Sequence, residues 1–141
     1  MDPKGIDRAT LDRLYSVAME AAIARIEKDG TFQPLLFEVR PGGAVQAVAV
    51  LDPGSIAGHD AVLDRLCELL RQRAVEAAIL GAAIAIHHRE ERRIEIRLRA
   101  PGHAADIATP YGLVTRGLLR RQRRVTMGRP RWRHVGNEIF A

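Results

Sequence analysis

The segment Arg93-Ile-Glu-Ile-Arg-Leu-Arg-Ala100 (RIEIRLRA) alternates without a break. Ile94, Ile96 and Leu98 take one side, and Glu95, Arg97 and Arg99 take the other. A period of two is the side-chain spacing of a β-strand. One polar face places that strand in an antiparallel sheet that water reaches on one side. The residues before it fit. Arg89-Glu90-Glu91-Arg92 reads as a charged turn, and Ala82, Ile84 and Ile86 alternate with smaller residues in a further strand. Pro101-Gly102 ends the strand, and HAADIATPYGLVT (103–115) supplies another.

Nearer the N-terminus, Leu11, Leu14, Tyr15, Ala18, Ala22 and Ile26 recur at three- and four-residue steps. They predict a helix from Thr10 to Asp29, with Thr10 as its N-cap and Gly30 at its C-terminal stop. Leu35–Arg40 and Ala44–Leu51 are rich in strand formers around the turn Pro41-Gly42-Gly43, which predicts a β-hairpin. The segment Asp52–Gly58 reads as a loop. A second helix, roughly Asp60–Glu76, carries the buried stripe Leu63, Leu66, Cys67, Leu70, Ala74 and Ala77. The expected class is α+β, in the order α-β-β-α-β-β-β. Two helices would cover one face of an antiparallel sheet of about five strands. The whole of residues 1–141 reads as a single domain.

Charge is distributed unevenly. Residues 1–115 hold 14 Lys and Arg against 16 Asp and Glu, whereas residues 116–141 hold 8 against 1. The overall charge of +5 therefore arises in the C-terminal fifth. There, RGLLRRQRRVTMGRPRWRH (116–134) reads as a long exposed edge strand. Two uses of its arginines compete. Charge on an edge deters edge-to-edge aggregation, which is the plainer reading. The functional alternative is a polyanion-binding surface made by Arg116, Arg120, Arg121, Arg123, Arg124, Arg129, Arg131, Trp132 and Arg133, with nucleic acid as the partner. Trp132, between Arg131 and Arg133, would offer a base a stacking surface.

Three short motifs carry a resemblance: DGTFQP (Asp29–Pro34), IEIRLRAPGHAADIATPY (Ile94–Tyr111) and NEIF (Asn137–Phe140). Together they resemble a group of small bacterial proteins of unknown function. The resemblance implies an opening helix, a hairpin, a second helix, an Ile-containing strand leading to a Pro-Tyr pair, and a terminal Ile-Phe. It implies no activity, and the arginine load after Arg116 is not part of that pattern.

Other chemistries find little footing. There is no phosphate-binding Gly-rich motif, and the loop Gly54–Gly58 lacks the lysine that would make one specific. No cofactor is expected. His87 and His88 are adjacent, so a strand sends them to opposite faces. The single cysteine, Cys67, excludes an intrachain disulfide and suits a reducing compartment, so the expected location is cytoplasmic. The longest apolar run, Ala77–Ile86, is too short to span a membrane. The expected activity is binding or interaction without catalysis. An enzyme with an unrecognised site is the other alternative. A homodimer is a further expectation, resting on the small residues Ala18, Ala21 and Ala22, which would admit a close neighbour.

Overall fold

The computed structural model describes residues 6–48, 59–117 and 122–140. The elements run α1 (Arg8–Asp29), β1 (Leu35–Val39), β2 (Val45–Val48), α2 (His59–Val75), β3 (Gly81–His88), β4 (Arg93–Ala100), β5 (His103–Arg116), β6 (Gln122–Met127) and β7 (Arg131–His134). The α+β class and the first seven elements follow the expected order, with two strands added by the arginine-rich segment. No described helix is long and apolar enough to cross a membrane. The Gly54–Gly58 loop lies outside the described residues.

The cap of α1 is Asp7 rather than Thr10. The Asp7 carboxylate accepts from the Thr10 backbone N–H at 2.8 Å, so Thr10 falls in the first turn. A carboxylate at this end also meets the positive pole of the helix dipole. That hydrogen bond holds the Asp7 carboxyl below its ordinary value. At the other end Gly30 adopts φ 80°, and its N–H returns to the Ile26 carbonyl at 2.8 Å. Only glycine takes that left-handed conformation without strain.

The strands form one antiparallel sheet ordered β2-β1-β3-β4-β5-β6, with β7 also paired to β5. The expectation that both helices share a face is corrected. Leu14, Ala18, Ala22 and Ile26 of α1 pack with Phe37, Val39, Ala83, Ala85, Ile94, Ile96 and Ile107. On the opposite face Val62, Leu63, Leu66 and Leu70 of α2 pack with Leu36, Ala82, Ile84 and Ile86. The physical reason lies in β3, which is apolar on both faces and buried along nearly all its length. Such a strand needs a cover on each side.

An ion pair between a buried carboxylate and a half-buried arginine fixes α2 to its face. Glu38, fully buried on β1, receives two hydrogen bonds from Arg73 in the last turn of α2, one at 2.9 Å. The C-terminal NEIF segment closes the same layer. The Asn137 side-chain oxygen accepts from the backbone N–H groups of Ile139 and Phe140 at 3.2 and 2.8 Å. Ile139 and Phe140 then enter the α2-side core.

Ala18 and Ala22, expected as a dimer surface, have no exposed surface and lie against the sheet of their own chain. Their small size allows α1 to approach that sheet closely.

Candidate polyanion interface

Among the described residues α2 packs on β1, β2 and β3 and borders β4, and no described helix lies over the same face of β5, β6 and β7. Alternation and register decide what stands there. On β4 the open face carries Arg93, Glu95, Arg97 and Arg99. On β5 it carries Ala104, Asp106, Ala108, Pro110, Gly112, Val114 and Arg116. The partners of those β5 residues are Arg133 opposite Asp106, Arg131 opposite Ala108, Thr126 opposite Gly112 and Arg124 opposite Val114.

The expected exposed edge strand is present, but it is divided. β6 and β7 flank the same side of β5, with Gly128, Arg129 and Pro130 between them. Across that break the register advances by one residue: Met127 faces Tyr111, whereas Arg131 faces Ala108. The effect is that of a β-bulge, which re-aims the side chains beyond it. Without it Arg131 and Arg133 would share the face of Arg123 and Val125. With it they join Arg124 and Arg116. Gly128 makes the bulge possible. Its N–H reaches the Pro110 carbonyl at 2.7 Å, and a Cβ there would stand 2.9 Å from the Pro110 ring.

The expected site residues therefore divide. Arg116, Arg124, Arg131 and Arg133 share one open face, joined by Arg93 and Arg97 from β4. Arg129 is exposed within the bulge. Arg123 turns the other way and donates to the carbonyls of Glu27 at 3.4 Å and Lys28 at 2.8 Å, so it serves the end of α1. Trp132 likewise faces the α1 side, where it stacks on Tyr15 with centroids 6.1 Å apart. It does not lie among the arginines of its own strand. Arg120 and Arg121 lie outside the described residues.

Acidic groups on this face are few and engaged. Arg97 donates to Glu95 at 2.7 Å, and His88 lies 2.8 Å from the same carboxylate. Burial pushes the Glu95 carboxyl up, but these hydrogen bonds outweigh it and hold the carboxyl below its ordinary value. Asp106 meets Arg99 at 2.9 Å and Arg133 at 3.3 Å. Arg99, expected at a watered surface, is only 3% exposed, because Asp106 and Glu138 flank it beneath the C-terminal segment. Arg124 leaves β6 on this face, but its guanidinium reaches round the sheet edge to within 3.9 Å of Glu27 on α1. Among the described residues no ion pair engages Arg116, Arg129 or Arg131.

Two of the quoted motifs meet elsewhere, at His87. Its Nδ1 lies 3.0 Å from the Thr31 hydroxyl, its Nε2 2.6 Å from the Tyr111 hydroxyl, and its ring stacks on Phe32. Thr31 and Phe32 come from DGTFQP and Tyr111 from the Pro-Tyr pair. Burial lowers the His87 pKa, and the nearby Arg89 adds to the effect. The histidine is thus a satisfied member of the core, with burial disfavouring its charged form. His88 takes the opposite face, as strand alternation requires.

Beside the open face, a cleft of about 560 Å³ lies between α2 and β4. Cys67 borders it, but burial and Glu138 push its thiol up, which disfavours the reactive thiolate. Among the described residues no group of three or more His, Cys, Asp or Glu side chains is arranged to hold a metal ion. Against family models, curated proteins and solved structures, the chain matches none.

Proposed function

We propose that this chain is a non-catalytic binding module that holds a polyanion, the phosphate backbone of a nucleic acid, on the open face of its sheet. The observation that supports the reading is the shared face of Arg93, Arg97, Arg116, Arg124, Arg131 and Arg133, assembled from four strands and a bulge. Edge protection alone accounts for charge along β6 and β7, but not for arginines continuing inward to β4. Guanidinium groups bind phosphate in forked geometry, and each phosphate they neutralise releases a counterion. A surface that no described helix covers suits a ligand recognised by its charge. The single half-buried cysteine suits the cytoplasmic setting that this reading includes.

Fluorescence anisotropy with labelled DNA and RNA at about 50 and 200 mM salt tests the proposal. Micromolar or tighter binding is expected at the lower salt, falling by orders of magnitude at the higher. The variant Arg116→Ala, Arg124→Ala, Arg131→Ala, Arg133→Ala should lose this binding while keeping its helical and strand circular dichroism. Arg123 is left intact because it serves α1. Absence of binding at 50 mM salt overturns the reading.

A further inference from the structure

We infer that Trp132 stacks on a base of a single-stranded nucleic acid whose phosphates lie on the arginine face, so that β7 grips both parts of one strand. The inference rests on the polyanion reading and adds the strandedness of the ligand.

The argument begins with the position of β7. Among the described residues it pairs only with β5, which leaves its outer edge open. Along it, Arg131 and Arg133 face the open side while Trp132 and His134 face the other. Neighbouring side chains on a strand are separated along the chain by only about 3.3 Å. A polymer that wraps round this open edge therefore meets guanidinium on one face of the sheet and indole on the opposite face.

Trp132 is presented for such contact. It is 58% exposed, far more than an indole that serves a core. Tyr15 stacks at an interplanar angle of 28° and supports it from α1. Next to the pair lies a groove of about 700 Å³ between α1 and β5, bordered by Leu98 and Ala105. That volume accommodates a nucleobase. Asp12, Ser16, His103 and His134 also line it and offer hydrogen-bonding groups to the edge of a base. Such a base must be free. In a duplex both faces of each base are stacked and its pairing edge is used, whereas single strands present bases to aromatic side chains.

Trp132 is the only tryptophan, so its emission reports the contact directly. The probes are a 20-nucleotide single strand, the matching duplex and inorganic polyphosphate, titrated at about 50 mM salt. The single strand should quench the emission, and polyphosphate should bind without quenching. Trp132→Ala should weaken the single strand about 5- to 150-fold, the range that stacking of one base supplies. Its affinity for polyphosphate should be unchanged, which also shows that the variant is folded. Trp132→Phe should recover part of the loss. If the single strand binds without quenching and Trp132→Ala binds it equally well, the inference is overturned and the polyanion reading stands. If neither the single strand nor polyphosphate binds, both are overturned.

Discussion

The guanidinium of Arg123 donates to the Lys28 carbonyl at 2.8 Å, joining β6 to the last turn of α1. Its planar group also lies beside Gly30, where a Cβ would stand at an ordinary contact distance of 3.5 Å, so it is the φ of 80° and not this neighbour that requires glycine. Unpaired carbonyls and the negative pole of the helix dipole both favour a cation here. Arg123→Ala should therefore cost about 1 kcal/mol of stability. Arg131→Ala, on the exposed strand, should stay within about 0.5 kcal/mol of the wild type. Urea unfolding followed by circular dichroism compares them, and equal midpoints would remove the distinction between the two arginines.

How far the sequence reaches is visible in these same residues. RIEIRLRA announces its strand, its two faces and its antiparallel setting, because a strict alternation has one structural meaning. The side taken by α2 is not legible in this way. Ala82, Ile84 and Ile86 are as apolar as Ala83 and Ala85, so β3 accepts a helix on either face. The arginine face is half legible. Alternation separates Arg131 and Arg133 from Trp132, but their union with Arg124 depends on the bulge at Gly128. That depends in turn on Pro110, eighteen positions earlier in the chain. Local pattern carries no such information. The convergence of Thr31, Phe32 and Tyr111 on His87 is likewise a long-range outcome, marked in sequence only by short motifs.

Glu38 offers a second test. Its carboxylate is fully buried, and Arg73 supplies its two closest hydrogen bonds, with Arg40 more distant at 3.4 Å. Removing one partner of a buried pair leaves an uncompensated charge, which costs more than the pair contributes. Arg73→Met should destabilise the protein by about 2–3 kcal/mol, reduced from the usual penalty by the remaining Arg40. The double variant Glu38→Leu, Arg73→Met should be more stable than Arg73→Met alone. Thermal denaturation of the three proteins decides the matter. A double variant less stable than the single one would mean the pair is net stabilising.

The C-terminal segment acts as a latch over the α2-side core. Phe140 is 8% exposed, and the Asn137 side chain fixes the turn that delivers it. Phe140→Ala should cost about 3 kcal/mol, within the range for a buried phenyl group. Asn137→Ala should cost less, about 1 kcal/mol, since it removes turn hydrogen bonds and leaves the ring in place. Hydrogen exchange adds a spatial check. Phe140→Ala should raise exchange in α2 more than in α1, because the two helices lie on opposite faces of the sheet. Equal changes in both helices would contradict that layering.

His87 makes stability depend on pH in a direction fixed by its burial. The folded protein holds its pKa below the ordinary value of 6.5, so the unfolded chain binds the proton more readily. Stability is then complete above about pH 6.5 and declines as pH falls towards the depressed folded value. One proton sets the limit of the slope, about 1.4 kcal/mol per pH unit. His87→Gln keeps a polar partner for Tyr111 but has no such titration, and its stability should be flatter between pH 7 and 5. Glu95 does not confound this window, because its lowered pKa acts below 4.5. Urea midpoints measured across the range for both proteins give the comparison. Parallel curves would show that His87 protonates as readily in the fold as in the unfolded chain, and that its burial does not disfavour the charged ring.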